Sequence, residues 1–312
     1  MYGVVIDKID AYGTIVIHRH IQPDLDALGS QLGLRNIIKK NFKNKKVYVV
    51  GEGGDYDMFG PMDRPEDHVF EQALAIVLDV AGKDRVSDQR FLDAKETIVI
   101  DHHRNPTDFA DIFISDPEQV ATCQMLVQMC KDEKLKIDAD AATYLFAGLT
   151  TDSGRFLYPA TDATTFDSAL YLVERGARIQ EVYNLVYEED LNKRKLRGYF
   201  INHFKWTKNN VAYMKNPKTL KNEYNVSTFT ISRGMVNQMA GIKEIPIWAN
   251  FTETDSEDIL CELRSKEVPI VDIAKKFGGG GHDLACGCTV ASWDETDRIL
   301  EELDKIAERI ET

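Results

Sequence analysis

Long apolar runs are missing from this chain of 312 residues. The longest, such as Ile15–Ile17 and Ala73–Leu78, are far too short to span a bilayer. The stretch from Met1 to Asp10 lacks the basic start and apolar centre of a signal peptide. The expectation is therefore a soluble, cytoplasmic protein with no membrane partner. Cysteine is scarce and odd in number, at Cys123, Cys130, Cys261, Cys286 and Cys288, and no Cys-x-x-Cys occurs. That excludes a disulfide framework and a zinc ribbon. Cys286-Gly287-Cys288 could bind a metal, but it reads more simply as a short strand with two reduced thiols on one face. Positive charge is also in deficit, with 38 Lys and Arg against 51 Asp and Glu and a net charge of −13. Binding to a long nucleic acid rests on many cation–phosphate contacts, so no such partner is expected. The block Lys39-Lys40, Lys43, Lys45-Lys46 reads as a solvated helix end. A short phosphorylated substrate, held by a few local cations and a metal, remains compatible with the acidic balance. No internal repeat or low-complexity tract is present.

What the chain does have is 43% hydrophobic residues, enough for ordinary folded cores, and a length that corresponds to about two domains. The fold class expected is α/β: an N-terminal parallel-sheet (Rossmann-like) domain followed by a smaller mixed α/β domain. Strands are expected at Thr14–Ile17, Lys46–Val50, Leu74–Leu78, Thr97–Ile100 and Ile112–Ile114, with a helix over Ala27–Lys40. Short β-rich runs separated by helices point to a parallel sheet with crossovers. Helices follow over Ala121–Cys130, Ala139–Leu149 and Ala163–Glu174. A helical, highly charged pattern then runs from Gln180 to His203. The boundaries expected are a catalytic domain over 1–188, a helical linker over 189–210 and a substrate-binding domain over 211–312. In the last, Asn209-Asn210 reads as a turn between strands. Ile245–Thr252 and Ile259–Leu263 read as neighbouring strands, and Ile270–Phe277 as a helix ending in Gly278–Gly281.

Four segments carry the chemistry. The loop after the first strand holds His20, Asp24 and Asp26, one imidazole and two carboxylates on a single turn. Such a loop sits at the carboxyl end of a strand, where open α/β sheets bind ligands. Carboxylates with some imidazole suit Mn(II) or Mg(II). A surface loop whose Asp residues cap a helix would read the same way. Leu78-Asp79 closes a second apolar strand, and Asp101-His102-His103 closes another. Adjacent imidazoles cannot point the same way, so one is expected on metal and the other on substrate, with Asp101 orienting the ligating imidazole. The fourth segment, Leu149 to Phe156, offers Asp152. By itself it also reads as a plain helix end with a polar turn.

Together these segments resemble the DHH phosphoesterase family, in the order His20-x-x-x-Asp24-x-Asp26, Asp79, Asp101-His102-His103, Asp152. The resemblance covers nearly the whole chain. It implies two divalent metal ions, with Mn(II) expected. His20 and Asp24 would hold one, Asp26, His102 and Asp152 the other, and Asp79 would bridge them. His103 would face the scissile phosphate. Phe277-Gly278-Gly279-Gly280-Gly281-His282 looks like the glycine-rich signature of the family's associated C-terminal domain. A glycine run lets backbone N–H groups approach a phosphate, although alone it could be a flexible turn. Arg264-Ser265 also matches that domain, where the arginine helps bind substrate. The substrate-binding residues implied are Arg264, Ser265, Gly279, Gly280, Gly281 and His282.

Size and arrangement are similar to the nanoRNase branch of the family, which degrades very short RNA and often removes the 3′-phosphate of 3′-phosphoadenosine 5′-phosphate. The implied activity is a two-metal phosphodiesterase and bisphosphate nucleotidase acting on short phosphorylated nucleotides, and a homodimer is compatible with the sequence. One departure stands out. After the bridging aspartate the family commonly has Thr-Ala-Asn, whereas this chain has Val80-Ala81-Gly82, which bears on substrate preference. The rival readings are an inorganic pyrophosphatase or polyphosphatase of the same superfamily, opposed by the glycine–His tail, and a non-catalytic nucleotide sensor, opposed by the full set of metal-motif residues. A processive exonuclease is opposed by the acidic balance.

Overall fold

The structure is a computed structural model that describes residues 2–54, 56–80, 82–104 and 107–310. The chain divides into two units, Met1–Glu188 and Glu189–Thr312. In the first, the elements in chain order are α1 (Gly3–Ala11), β1 (Thr14–His18), α2 (Leu25–Asn41), β2 (Lys46–Val49), β3 (Leu74–Leu78), β4 (Glu96–Asp101), β5 (Ile112–Ser115), α3 (Thr122–Asp132), α4 (Ala139–Asp152), α5 (Ala163–Glu174) and α6 (Ile179–Tyr187). The strands form one sheet in the order β2-β1-β3-β4-β5, parallel throughout. A parallel strand covered on both faces must be apolar at nearly every position, and β3 is buried at all five. The two faces are covered differently. Ile15, Ile17, Ile76 and Ile98 pack with helical residues such as Val5, Leu28, Leu126 and Leu145. Val16 packs with Phe70, and Val77 and Val99 with Phe91; Phe70 and Phe91 come from short 3-10 turns at Asp67–Gln72 and Gln89–Asp93. The strand order reverses between β1 and β3, and the carboxyl ends beside such a switch point are where open α/β sheets take ligands.

Helices α2 and α4 approach closely enough to need glycine. A Cβ on Gly29 would lie 2.3 Å from the Tyr144 carbonyl oxygen, and one on Gly148 would lie 2.7 Å from Oδ1 of Asp26. This contact fixes the start of α2 against the end of α4, two places where the sequence puts carboxylates. Helix α4 runs through to Asp152, three residues beyond the expected end at Leu149.

In the second unit follow α7 (Leu191–His203), β6 (Lys205–Trp206), β7 (Val211–Asn216), α8 (Leu220–Tyr224), α9 (Thr228–Ser232), β8 (Ile247–Glu253), β9 (Ile259–Ser265), α10 (Val271–Lys276), β10 (Gly280–His282), β11 (Ala285–Val290) and α11 (Trp293–Ala307). The sheet order is β10-β11-β9-β8-β7-β6, mixed, with β7 and β8 parallel and the other pairs antiparallel. One face packs on α10 and α11, the other on α7 to α9. The segment 189–210, expected as a linker, is a correction. Its helix α7 buries Leu196 and Phe200 completely among Ala212, Met214 and Trp248, so it belongs to the core of the second unit. The helical pattern from Gln180 to His203 is likewise two helices, broken where Asp190 caps α7 by accepting from the Asn192 N–H. Cys286 and Cys288 lie on β11, buried and free, as the strand reading expects.

Candidate metal centre

Three strand ends and two helix ends of the first unit deliver the Asp and His residues to one place. Asp24 caps α2: its Oδ1 accepts from the N–H groups of Asp26 and Ala27, both at 3.0 Å. Helix capping and metal binding do not compete here, because Oδ2 is left 3.8 Å from Nε2 of His20. Asp26, in the first turn of the same helix, is fully buried. Its two oxygens accept from the first amides of α3, Thr122 N–H at 2.7 Å and Cys123 N–H at 2.9 Å, where the helix dipole favours negative charge. Asp79 follows β3 in a left-handed backbone conformation, φ 60°, and is 2% exposed. A non-glycine residue held there stores strain of about 1–3 kcal/mol, the kind of cost found at functional sites. Its Oδ2 lies 3.5 Å from His20 Nε2 and its Oδ1 3.5 Å from His102 Nε2, so one carboxylate faces an imidazole on either side. Asp152, at the last position of α4, has Oδ2 3.5 Å from His102 Nε2.

These atoms fall into overlapping groups. His20, Asp24 and Asp79 each offer a donor atom within 4.8 Å of the others, as do Asp26, His102 and Asp152, and also Asp79, His102 and His103. The fit to a cation is testable on the imidazoles. Nδ1 of His20 lies 2.7 Å from the Ile21 carbonyl and Nδ1 of His102 lies 3.2 Å from that of Gln119. A carbonyl accepts only from a protonated nitrogen, so Nδ1 carries a proton in both rings and Nε2 is the atom that faces the carboxylates and could ligate a cation. For His102 that Nε2 is buried without a hydrogen-bond partner among the described residues, a costly state that a cation would relieve. The carboxylates argue the same way. Burial, then the neighbouring Asp26, pushes the Asp79 carboxyl well above its usual range. Burial followed by Asp26 and Asp79 raises Asp152 to about 9, and burial also raises Asp26. Burial opposes ionisation of Asp24 too, but its hydrogen bond with His20 keeps that carboxyl below its usual range, so the four together call for added positive charge. Two divalent cations would match their charge, so the residues present fit that group.

His103 is placed differently. Its Nδ1 lies 2.7 Å from Oδ1 of the buried Asp101, and its ring is half exposed. Asp101 raises the His103 pKa above its ordinary value. The imidazole that Asp101 orients is thus His103, while His102 is oriented by a backbone carbonyl. Two contributors were not singled out from the sequence. Thr122 donates its hydroxyl to Asp79 Oδ1 at 3.1 Å, and the amides of Thr122 and Cys123 hold Asp26. The start of a helix near Ala121 was visible, but its packing against residues nearly a hundred positions earlier was not. His18, in the same segment as His20, lies apart from this cluster, buried between Phe70 and Phe91. The departure after Asp79 is only partly visible: Val80 is buried among Val77, Val86 and Phe91, and Ala81 lies outside the described residues.

In the second unit, Arg264 and Gly278–Gly281 line one cavity of about 490 Å³ together with Arg233, Glu262 and Cys286. Strand alternation sorts the expected residues. Arg264 stands on the half-exposed face of β9 and donates to the carbonyls of Leu263 and Cys286 and to Glu262. Ser265 is buried on the opposite face, and its Oγ accepts from the Val268 N–H. The structure therefore does not bring Ser265 to this cavity. His282 is exposed and lies in the same cross-strand row as Arg264, through Ala285. Two glycines of the run are required by packing: a Cβ on Gly279 would sit 2.1 Å from the Gly287 oxygen, and one on Gly281 2.7 Å from Cys286 Cα. Gly280 has open space in that direction. Arg233, which pairs with Glu262 at 2.9 Å, is a further cation there that the sequence reading did not include.

Comparison with known proteins agrees with this architecture. Residues 14–149 match the DHH family, N-terminal domain, and residues 211–309 match the DHHA1 domain. The chain is 32% identical over 311 residues to the bifunctional oligoribonuclease and PAP phosphatase NrnA of Bacillus subtilis, covering 98% of this chain and 99% of that one. It is 34% identical to the protein of the same name from Mycoplasma genitalium, with 96% of each chain covered. The crystal structure of an exopolyphosphatase-related protein from Bacteroides fragilis superposes with a TM-score of 0.80 at 25% identity, covering 98% of this chain and 97% of that one. The chain belongs to the DHH family, with a DHHA1 domain at its C-terminal end. Among the described residues no helix is long and apolar enough to cross a membrane.

Proposed function

We propose that this DHH-family chain is a metal-dependent phosphoesterase. It hydrolyses dinucleotides and other very short oligoribonucleotides to mononucleotides, and removes the 3′-phosphate of 3′-phosphoadenosine 5′-phosphate. The observation that carries the reading is Asp79, a strained, buried carboxylate with one oxygen toward His20 and the other toward His102. Full-length likeness to an oligoribonuclease and PAP phosphatase supports the substrate class. In this reading His20 and Asp24 hold one divalent cation, Asp26, His102 and Asp152 hold the other, and Asp79 is shared.

When bound, two such cations, Mn(II) in this proposal, would supply Lewis acidity toward the phosphoryl group and a more acidic water. The chain's own residues do the rest. Asp101 fixes the His103 ring through Nδ1, and in this reading a proton on Nε2 stabilises charge on a phosphoryl or leaving oxygen. Thr122 steadies Asp79 by donating to Oδ1. Arg264, His282 and the Gly279–Gly281 backbone bind a terminal phosphate of the nucleotide, with Arg264 giving charge-assisted hydrogen bonds. Replacing Asp79 by Ala should abolish turnover while the protein stays folded; wild-type rates in that variant would overturn the scheme. Arg264→Ala should chiefly raise KM, and an unchanged KM would remove the assignment of the second unit.

A further inference from the structure

A second site, far from the carboxylates, is carried by a concentration of charge that runs against the composition. In a chain of net charge −13, one cavity of about 610 Å³ in the first unit is lined by Lys40, Lys131, Lys134, Lys136 and Arg175, with Tyr171 and no carboxylate. It lies where α2, α3 and α5 end, since Lys40 and Lys131 occupy last turns and Arg175 is the C-cap of α5. The side chains of Lys40, Lys134 and Lys136 have no ion-pair partner among the described residues. Lys131 pairs with Asp167, and Arg175 lies 3.8 Å from Glu174. Each of the three helix ends contributes only about half a negative charge, so the five cations stay net positive after these ends and the two acidic partners are counted.

The cavity is also held in shape. Asn41 ties the 134–137 loop to the end of α2, donating to the Lys136 carbonyl and accepting from the Lys136 N–H, both at 2.8 Å. The Leu135 N–H donates to the Cys130 carbonyl at 2.9 Å. The Arg175 guanidinium lies on the Tyr171 ring, 3.1 Å from its centroid, while Nη1 donates to the Tyr171 carbonyl. Nε and Nη2 of Arg175 have no hydrogen-bond partner among the described residues. Burial pushes the Cys130 thiol up to about 12, so it adds no negative charge.

We propose that this cavity is a second, non-catalytic site for a small anion bearing several phosphate groups. The site lies apart from the metal centre: Lys40 is 16 residues along α2 from Asp24, about 24 Å of helix. Because the one aromatic face is already occupied by Arg175, recognition is by phosphate and not by a stacked base. Affinity should follow the number of phosphate charges and ignore base identity. The volume is in the range of small-molecule sites.

The test is hydrogen exchange with mass spectrometry on the full-length, magnesium-loaded protein, with inorganic triphosphate as probe. Peptides covering 130–137 and 171–178 should gain protection. In Lys134→Glu/Lys136→Glu the affinity read from that protection should fall about tenfold or more, ~1.4 kcal/mol, with turnover of a linear diadenylate unchanged. Lys134→Gln/Lys136→Gln, which removes charge without reversing it, should show an intermediate loss. No protection in the wild type, equal protection in the variants, or equal protection by sulfate (an adventitious anion only) would overturn the proposal.

Discussion

Thr122 offers the sharpest test of how the metal centre is held, because its hydroxyl reaches the carboxylate that the whole arrangement shares. The distance from Oγ1 to Asp79 Oδ1 is 3.1 Å and both residues are buried. Thr122→Val keeps the shape of the side chain, the helix start and the backbone N–H that holds Asp26 Oδ2, and removes one donor. A hydrogen bond to a charged group is worth about 1.5–3 kcal/mol, and outer contacts to metal ligands typically change affinity by about 10- to 100-fold. The expected result is a Mn(II) dissociation constant raised by about that factor, measured by titration calorimetry. The stability of the metal-free protein should move by only about 1 kcal/mol. Cys123→Ala is the control: it leaves Asp79 and the Thr122 hydroxyl untouched, keeps the N–H on Asp26 Oδ1, and removes a buried thiol whose hydrogen bond goes to the Asp26 carbonyl, at 3.6 Å. Its Mn(II) affinity should match the wild type. If Thr122→Val bound Mn(II) as tightly as the wild type, Asp79 would not be a shared ligand positioned from α3.

Other perturbations separate the parts of the account. Asp101→Asn should cut turnover by about 10²–10⁴ through loss of His103 orientation while leaving Mn(II) affinity unchanged, as steady-state kinetics beside calorimetry would reveal. Gly279→Ala places a Cβ 2.1 Å from the Gly287 oxygen and should lower the stability of the second unit by about 1–3 kcal/mol, seen as a lower Tm. Asp162 caps α5, and hydrogen bonds from Thr164 and Thr165 hold its carboxyl below the usual range. A depressed folded pKa means the contribution is complete above the unfolded value of about 4 and fades as pH falls through the folded one. Asp162→Ala should therefore cost about 1 kcal/mol in urea melts at pH 7 and progressively less in acid; a cost independent of pH would contradict the assignment.

The metal centre was legible because its signals are local. Apolar strands β1, β3 and β4 close on Asp and His, and parallel strands deliver their carboxyl ends to one edge. Asp152 was readable only by its company with the other motifs. What escaped was long-range. The amides that hold Asp26 come from α3, a contact no spacing encodes. The role of Asp101 shifted from one imidazole to its neighbour because the choice depends on where a carbonyl, that of Gln119, happens to lie. Ser265 is a different kind of case. The two-residue period of a strand already puts it on the face opposite Arg264, and matching a motif as a block hid that alternation. The charged stretch 189–210 read as a linker because charge dominates its composition, yet two apolar positions one turn apart, Leu196 and Phe200, tie it into a core.

The measurement that bears most directly on the proposed activity is chromatographic product analysis. Purified protein with manganese would be given linear diadenylate, a longer single strand, 3′-phosphoadenosine 5′-phosphate and pyrophosphate in parallel, with Asp79→Ala as control. The account predicts AMP from the diadenylate and from the bisphosphate, little action on the longer strand, and no product from the variant. Cleavage of pyrophosphate alone, or nucleotide cleavage that survives in Asp79→Ala, would contradict it.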